Sequence, residues 1–452
     1  MGQVMGLEEF IIDEQCEGSI EQQLAEHGDM WKEGRAAKHE RGIVYKAPWE
    51  TQHDGVCIAA RRHARALRMT GVPVFLQSDS FTHSNLGVVS EVEYFSLPGL
   101  VRAEVDGITQ VDHGQSLLLI RHCVPTRGAL EALVYPPVMR LLNHEQLTVV
   151  RKAMILFSAF ETDKLDEDAV RYMNMLGRVW VTCDKNKQWL SAAGVDEAHI
   201  VVVPHPFYGK DPMAQPRTGK RTGLFRFLNV SKWEPRKAQH DLIGGFLLAF
   251  GPADDAELVL KCNPFARVEG YPADWQASIE QWAANEKVSA RWTKEKIYER
   301  VKVLWKAHMT RAELAQLYRE CDVYVSTGRA EGFDLPAFDA KLSGMRMIHA
   351  ASGGPEMFHQ PGVDVLIDPT AETQPFHPIY NAAPDARWCG FDATHVSHAL
   401  MAAYACFRDP IPAFDRSRYT MKAVGAVMRQ SCNELLKEHG TDISNVNVDA
   451  SP

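Results

Sequence analysis

Short apolar runs alternate with amphipathic stretches along most of the chain. Two such runs, Ile43–Ala47 and Val72–Gln77, predict strands on either side of a helix from Cys57 to Met69. Residues 116–126 predict a further buried strand, and residues 154–207 continue in the order strand, helix, strand, helix. Regular alternation of this kind predicts an α/β fold built on parallel sheets.

Residues 225–250 form a similar unit with a polar connection. The pattern predicts a strand that ends near Val230 and a turn from Lys232 to Lys237 that carries three cations, the third being Arg236. The apolar positions of the helix that follows are Leu242, Ile243, Phe246, Leu247 and Phe250. Alone, such a turn is typical of a solvated loop.

Another unit lies within residues 317–357. A strand is predicted over Val323–Ser326, a loop over Gly328–Asp334 and a helix over Pro336–Ser343. Pro336 suits the first position of a helix and Gly344 suits its end. A second strand, 345–350, then leads into the glycine turn 352–356, where a backbone can approach a ligand closely.

The acidic residues of this unit predict a nucleotide-sugar site. The amino end of the 336–343 helix offers unpaired N–H groups and a partial positive charge, which stabilise a diphosphate. Glu331 precedes this end and Asp339 lies about one turn inside it. Carboxylates accept hydrogen bonds from sugar and ribose hydroxyls, while cations such as Lys232 and Lys237 bind phosphates. The alternative is an ordinary βαβ unit with solvated acids, but two such motifs on one parallel sheet favour the site.

The motif EGFDLPAFDAKLSG followed by SGGPE resembles the donor-site signature of retaining GT-B glycosyltransferases, in particular glycosyltransferase family four. That signature has the form E-G-F-G-L-x-x-x-E, with G-G-x-P-E downstream. Here Asp334 replaces a glycine and Asp339 replaces the second glutamate. The resemblance implies a donor-binding set comprising Gly332, Phe333, Asp334, Leu335, Asp339, Gly353 and Gly354. It also implies a catalytic role for Glu331, which would hold sugar hydroxyls.

Residues 225–250 are similar to the family's strand-turn-helix with a G-R-L-x-x-x-K-G turn. Lys232 stands at the arginine position and Lys237 at the lysine position, so both are implied to grip the diphosphate. A lysine keeps the charge of an arginine but loses its bidentate geometry. Arg236 is a candidate to share this task.

Further candidates lie in the amino-terminal half. By similarity, Asp54 and Gly55 lie in a loop across the cleft from the donor and are implied to contribute to acceptor or phosphate binding on the acceptor side, although a plain surface turn explains them equally well. His122, at a strand end, is implied to contact the donor sugar; its alternative is a packed structural residue. Glu161 and Asp163 follow a strand in the family-like segment 154–207, at an edge where parallel sheets bind ligands. Helix N-capping is the alternative for Asp163.

The resemblance implies two Rossmann-like domains that face each other across a cleft. We expect an extension over 1–41, an acceptor-side domain over 42–206 and a nucleotide-sugar donor domain over 207–408. Helices over 409–440 are expected to pack back on the first domain, followed by a tail over 441–452.

Composition fits a two-domain enzyme of the cytoplasm. The chain has 452 residues, 45% hydrophobic and 24% charged residues, and nine cysteines without a C-x-x-C pair. An acidic amino terminus and the lack of a long apolar run indicate neither a signal peptide nor a membrane span. The net charge of −9 argues against nucleic-acid binding as the main purpose. The arginine-rich helix near residues 61–68 is a candidate basic groove, but the solvated polar face of a partly buried helix is the favoured alternative.

Metal-ligand spacing, G-x-G-x-x-G and Walker A motifs are absent from the sequence. The resemblance implies metal-independent transfer, with retention of configuration, from a UDP- or GDP-sugar to an unidentified hydroxyl acceptor. The acceptor classes left open are saccharides, lipid-linked sugars, proteins, small molecules and modified nucleic-acid bases. Two alternatives also remain: an epimerase or phosphorylase on the same fold, and a non-catalytic nucleotide-sugar-binding subunit.

Overall fold

A computed structural model describes residues 42–47, 55–72, 74–78, 116–134, 144, 148, 151–215, 223–264, 268–306, 309–370, 382–406 and 409–439. Within these ranges the chain forms two six-stranded sheets whose paired strands are all parallel. Asp54 lies outside the described residues, as do the predicted extension over 1–41 and the predicted tail over 441–452.

The first sheet has the strand order β2-β1-β3-β4-β5-β6. Its strands are β1 (Gly42–Ala47), β2 (Val74–Ser78), β3 (Ser116–His122), β4 (Met154–Ser158), β5 (Arg178–Val181) and β6 (Ile200–Val202). The helices between them are α1 (Gly55–Arg68), α2 (Arg127–Val134), α3 (Glu167–Met175) and α4 (Asp184–Ala192). The order reverses between β1 and β3, which makes their carboxyl ends a topological switch point.

The second sheet has the order β12-β11-β10-β7-β8-β9 and reverses between β7 and β10. Its strands are β7 (Phe225–Trp233), β8 (Ala256–Pro264), β9 (Val301–Trp305), β10 (Val323–Ser326), β11 (Arg346–Ala350) and β12 (Val365–Ile367). Its helices are α5 (Gln239–Ala249), α6 (Trp275–Ala283), α7 (Glu286–Ser289), α8 (Lys294–Arg300), α9 (Arg311–Arg319), α10 (Leu335–Leu342) and α11 (Ala393–Ala405).

The last helix, α12 (Met421–Glu438), crosses back to the first sheet. Trp180 Nε1 on β5 donates to Ser431 Oγ at 2.9 Å, and Leu435 and Leu436 join the apolar core under β1 and β3. Gly425 lets α12 approach α1 closely, since a Cβ there would lie 2.2 Å from the Ala66 carbonyl oxygen. The predicted α/β architecture with a helix that returns to the first sheet is therefore confirmed.

Two local predictions were wrong. Strand β7 does not end near Val230 but continues to Trp233, because Lys232 and Trp233 pair with Asn263 and Pro264 of β8. The site helix begins at Leu335 and ends at Leu342, one residue earlier at each end than expected, since Asp334 caps it. The apolar positions predicted for α5 are all buried.

The arginine-rich helix α1 is not a basic groove. The side chains of Arg61 and Arg62 are buried, Arg65 stacks over the Tyr208 ring, and Arg68 donates to the Val74 carbonyl at 2.8 Å. The alternative of a solvated polar face is wrong for Arg61 and Arg62 for the same reason. Across the described part of the chain, no helix has the length and apolar character that a membrane crossing requires.

Candidate functional site

The charged groups of the site gather at the switch point of the second sheet. A short 3-10 turn, Pro235–Lys237, follows β7, and an acidic loop with Glu331 and Asp334 follows β10. Because β7 and β10 are neighbours with the same direction, the two connections leave the sheet at the same edge. This edge is where open parallel sheets bind their ligands.

Lys237 and Glu331 form the centre of this arrangement. Lys237 Nζ donates to Glu331 Oε1 at 2.6 Å and to Oε2 at 2.8 Å. The Lys237 backbone is fixed as well, because Thr327 Oγ1, just after β10, donates to its carbonyl at 2.7 Å. Ala238 then takes a left-handed conformation, φ 49°, which turns the chain into α5. The residues predicted from two distant motifs are thus in direct contact.

Arg236 is the second cation of the cluster. Its Nη1 lies 3.2 Å from Glu331 Oε2 and 3.1 Å from Glu161 Oε1, and its Nη2 lies 2.7 Å from Glu234 Oε1. Lys232, by contrast, has an exposed side chain on β7. Its predicted place in the turn was wrong, because β7 continues past it. Arg236 therefore joins Lys237 in contact with Glu331, and the role of Lys232 at the diphosphate stays a prediction.

The pKa values of the buried groups in this cluster depend on the charges of their neighbours. Burial opposes the charge on Glu331, but Lys237 and Arg236 outweigh it and hold the pKa of Glu331 below its usual value. Burial also opposes the charge on Lys237, yet Glu331 raises the pKa of Lys237. At Glu161 burial dominates and raises the pKa, only partly offset by Arg236. Glu161 Oε2 is buried without a hydrogen-bond partner among the described residues.

Asp334, which replaces a glycine of the family motif, turns its side chain back onto the protein. It has a left-handed backbone, φ 66°, and accepts hydrogen bonds from the Ala337 backbone N–H at 3.3 Å and from Ser326 Oγ. Burial and the nearby charge of Glu331 raise the pKa of Asp334 to about 6. The side chain acts as the N-cap of α10. The Ala337 N–H, in the first turn of that helix, therefore already has an acceptor within the chain.

The two glycines at 353 and 354 make room for the acidic loop itself. A Cβ at Gly353 would lie 2.2 Å from the Glu331 carbonyl oxygen, and a Cβ at Gly354 would lie 2.2 Å from Phe333 backbone atoms. The Glu331 N–H donates to the Ser352 carbonyl at 2.7 Å, and Gly354 N–H donates to the Glu331 carbonyl at 2.8 Å. The glycine turn thus fixes the backbone that carries Glu331 and Phe333.

The acidic loop also touches the first sheet's half of the molecule. Thr182 Oγ1 donates to the Gly332 carbonyl at 2.6 Å, and a Cβ at Gly332 would lie 2.4 Å from the Ala159 Cβ. Leu335 Cδ1 lies 3.8 Å from where a Cβ of Gly55 would be. The predicted donor-side residues Gly332 and Leu335 therefore meet the other half of the molecule directly.

Asp339 does not face the cation cluster. Both of its carboxylate oxygens accept from Arg311, each at 2.6 Å. Sequence reasoning missed Arg311, because nothing in the pattern of α9 links it to the acid motif. A contact between Asp339 and the ribose of a donor stays a prediction.

Comparison with known proteins sets this geometry in context. No protein-family model and no curated protein sequence matches the chain. A glycosyltransferase structure from Rickettsia africae aligns with a TM-score of 0.53 and 11% identity, covering 92% of this chain and 100% of that one. HepE from Anabaena in complex with UDP aligns at 0.51 and 15% identity, covering 88% and 98%. The lipopolysaccharide outer core galactosyltransferase WaaB aligns at 0.50 and 13% identity, covering 86% and 98%.

The chain has the GT-B fold. Its two parallel sheets and their helices match these structures in architecture, and identities this low establish the fold alone.

In GT-B terms, Glu161 and Asp163 lie where the first half meets the second. The Asp163 carboxylate accepts from the Arg387 N–H at 2.6 Å, and Trp388 Nε1 donates to the Glu161 carbonyl at 3.0 Å. The alternative that Asp163 caps a helix is wrong, since Asp166 is the N-cap of α3. Both predicted residues thus mediate contacts between the GT-B halves.

His122 is packed inside the first half. Its Nδ1 lies 2.8 Å from the Tyr45 hydroxyl, its ring stacks on Phe157, and His63 lies edge-on to it at 5.6 Å. Burial and the neighbouring His63 hold the pKa of His122 well below its usual range. His205 completes this histidine cluster and lies 4.5 Å from the Phe333 ring. Sequence reasoning missed His63 and His205, although His205 lies between Pro204 and Pro206 in the connection to the second sheet.

The described residues were also compared with two other kinds of site, a cavity and a metal centre. A surface cavity of about 510 Å³ lies beside α3 and α4, and its lining shares no residue with the cluster. In the described part of the chain, no group of three or more His, Cys, Asp or Glu side chains is placed to hold a metal ion.

Proposed function

We propose that this protein is a glycosyltransferase that moves a sugar, with retention of configuration, from a nucleotide-diphosphate sugar to a hydroxyl acceptor. The proposal rests on one observation, the direct contact between Lys237 and Glu331 at the switch point of the second sheet. Lys237 would bind the diphosphate, and the adjacent Glu331 carboxylate would accept hydrogen bonds from the sugar hydroxyls. The known glycosyltransferases with this fold, among them HepE bound to UDP, support the assignment.

The cluster suits the departure of a nucleoside diphosphate. As the glycosidic bond breaks, negative charge grows on the leaving phosphate and needs preorganised positive charge. Lys237 and Arg236 supply it, together with the amino end of α10. Glu331 would bind sugar hydroxyls, and the leaving phosphate would help to deprotonate the acceptor. No step of this scheme requires a metal ion.

Charge balance shows what donor binding demands. Arg236 and Lys237 face three carboxylates, those of Glu161, Glu234 and Glu331. A diphosphate entering this buried set meets an excess of negative charge, which is unfavourable at low dielectric. Glu161 comes from the first half of the molecule, so separation of the two halves removes it. We therefore propose that the donor replaces Glu161 as the partner of Arg236, and that Glu161 and Asp163 then border the acceptor.

We propose UDP- or GDP-sugars as the donors and the cytoplasm as the location. The nine cysteines of the sequence include no C-x-x-C pair, which fits a reducing compartment. The acceptor would lie between the two halves, next to Glu161 and Gly55.

The direct test is a panel of UDP- and GDP-sugars added to the purified protein, with thermal stability as the readout. A true donor raises the unfolding temperature by mass action. The winning donor is then incubated with candidate acceptors, and the anomeric configuration of the product is read by NMR. Lack of stabilisation by every nucleotide sugar would defeat the proposal. Donor conversion without acceptor would indicate an epimerase, and binding without turnover would indicate a binding subunit.

A further inference from the structure

Residues 382–391 form a strap that leads into α11 of the second half but lies against the first half. Ala382 forms an antiparallel bridge with Leu165, and the Ala383 N–H donates to the Lys164 carbonyl at 3.1 Å. Leu165 and Lys164 belong to the connection between β4 and α3. Backbone pairing of this kind fixes the register of two segments, so the strap holds the end of this connection in place.

The strap also holds the start of the same connection. The buried Trp388 donates from Nε1 to the Glu161 carbonyl at 3.0 Å, and the Arg387 N–H donates to the Asp163 carboxylate at 2.6 Å. Together with the pairing at the other end, these bonds fasten residues 161–165. The backbone of Glu161 is therefore positioned from the second half of the molecule, to which the strap belongs.

The strap is tied in turn to the cation turn. The Cys389 N–H donates to the Arg329 carbonyl at 2.9 Å, and the Arg329 N–H donates to the Arg236 carbonyl at 2.7 Å. The Arg329 guanidinium holds the end of the strap, since it donates to the Phe391 carbonyl at 3.0 Å and its Cζ lies 4.2 Å from the centre of the Phe391 ring. The strap thus joins the backbone of Arg236 to that of Glu161.

Glu161 needs this support, whereas Glu331 does not. Glu161 Oε1 lies 3.1 Å from Arg236 Nη1, but Oε2 is buried without a hydrogen-bond partner among the described residues, and burial raises the pKa of Glu161. Both oxygens of Glu331 accept from Lys237 of the same half. A carboxylate offers about four acceptor positions, so Glu331 can keep Lys237 and also bind sugar hydroxyls. Of these two carboxylates, Glu161 is the one that a diphosphate can displace.

We infer that the strap is an autoinhibitory element, which holds Glu161 against Arg236 where the donor diphosphate binds and must release residues 161–165 before binding. Trp388 is then a positioning residue that acts through Glu161. The apparent dissociation constant of a ligand equals its intrinsic value divided by the fraction of molecules able to bind it. The strap lowers that fraction and so weakens donor binding. This inference deepens the proposed function and rests on it.

The first experiment loosens the strap. UDP and GDP are titrated calorimetrically into the full-length wild type and into Trp388→Phe, which keeps an aromatic ring but loses the bond to the Glu161 carbonyl. We expect the dissociation constants to fall by about threefold to tenfold, the scale of one hydrogen bond. The matched control is Trp292→Phe, which loses a bond from Nε1 to the Leu247 carbonyl within the second half and should bind like wild type.

A double variant separates positioning from a structural role. In a Glu161→Gln background the neutral amide competes less with the diphosphate, so Trp388→Phe should tighten binding by less than about twofold. An equal gain in both backgrounds would show that Trp388 does not act through Glu161 and would overturn the inference.

The second experiment locks the strap. Facing residues of an antiparallel pair have Cα atoms about 4.5–5.5 Å apart, which suits a disulfide. In Leu165→Cys/Ala382→Cys, oxidation should weaken UDP and GDP binding by at least about tenfold, and dithiothreitol should restore it. Both single-cysteine variants receive the same treatment as controls, and a thiol count on the unfolded protein confirms that the bond has formed.

Failure of the inference and failure of the proposed function look different in these data. Equal or weaker nucleotide binding in Trp388→Phe, or undiminished binding in the oxidised double-cysteine protein, would overturn the inference. If Trp388→Phe does not fold, the locked protein decides; if the disulfide does not form, Trp388→Phe decides. If neither nucleotide binds wild type, Trp388→Phe or the reduced double-cysteine protein, the proposed function fails and the inference falls with it.

Discussion

The two sheets reverse their strand order at comparable points, but they place opposite kinds of chemistry there. Where β7 meets β10, Lys237, Arg236 and Glu331 form paired charges. Where β1 meets β3, Tyr45 and His122 form a hydrogen bond inside a histidine cluster. Both groups are buried, so their difference does not come from solvent access.

The difference lies in the partners that burial leaves available. A buried charge persists only with an opposite charge, and Glu331 provides one for both Lys237 and Arg236. The first sheet offers His122 a hydroxyl and another imidazole, so burial holds the pKa of His122 well below its usual value and the ring is neutral. In a set of paired charges, a diphosphate can take the place of a carboxylate beside the cations. A neutral histidine cluster has no cation to offer to a diphosphate. We therefore propose that the donor diphosphate binds at the second sheet.

The largest expected effect is the loss of charge at Lys237. Lys237→Ala should lower transfer by about a hundredfold or more, because it removes one preorganised electrostatic contact to the leaving phosphate. Initial rates with the true donor, at saturating acceptor, measure the change. The matched control is Lys294→Ala, which breaks an exposed pair with Glu280 and should leave the rate unchanged. Near wild-type turnover in both Lys237→Ala and Glu331→Ala would contradict the assignment.

Much of this arrangement follows from sequence pattern alone. The period-two and 3.6-residue patterns place the strands and helices, and Gly353 and Gly354 mark the turn that supports the acidic loop. The pairing of Lys237 with Glu331 also follows, since two connections of one parallel sheet end at the same edge. These features depend on the periodicity of side chains along the chain, on turn residues and on the parallel order of the strands.

The rest depends on contacts between distant segments. Strand β7 continues past Lys232 because it pairs with β8, so the turn with Arg236 begins later than expected, and nothing within β7 predicts that extension. Arg311 meets Asp211 and Asp339 only after three elements have packed. Side chains of this kind are placed by packing and by the need to pair buried charges, which a single sequence does not display.

The comparison also predicts opposite responses to pH. The pKa of Asp334 in the second half is raised from 3.8 to about 6, so its contribution to stability is present at pH below 4 and is lost as pH rises through 6. The pKa of His63 in the first half is lowered by burial from 6.5 to about 4, so its contribution is present above pH 6.5 and is lost as pH falls toward 4. Each shift of this size corresponds to about 3 kcal/mol.

Urea unfolding of wild type and Asp334→Asn between pH 4 and 7.5 measures the first response. Asparagine resembles the protonated acid, so the stability of Asp334→Asn relative to wild type should increase as pH rises from 4 to 6. The same series for His63→Gln should show the reverse, with the variant gaining relative to wild type as pH falls from 6.5 to 4. If the free energy of unfolding changed with pH in the same way in wild type and in both variants, the proposed opposite pH responses would be wrong.

A smaller effect is expected where the two halves touch. Glu161→Gln removes one carboxylate from the set around Arg236 but keeps its shape, so the donor diphosphate meets less negative charge. We expect the affinity for the donor nucleotide to rise by about tenfold, the scale of one partly screened charge a few ångströms away. Titration of UDP or GDP into wild type and Glu161→Gln measures it, with Glu197→Gln as an exposed control. Weaker binding in Glu161→Gln would show that Glu161 assists the donor instead of competing with it.

The smallest expected effect on transfer comes from His122. His122→Phe keeps the stacking on Phe157 and loses the bond to the Tyr45 hydroxyl, so transfer should change by less than about threefold, under 1 kcal/mol. Stability should fall by about 1–3 kcal/mol, because a buried hydroxyl loses a partner. Tyr45→Phe removes the same bond from the other side, and the double variant should cost little more than either single one. A fall in transfer of about a hundredfold in His122→Phe, with Tyr45→Phe unaffected, would instead place His122 against the sugar and make both switch points part of the active site.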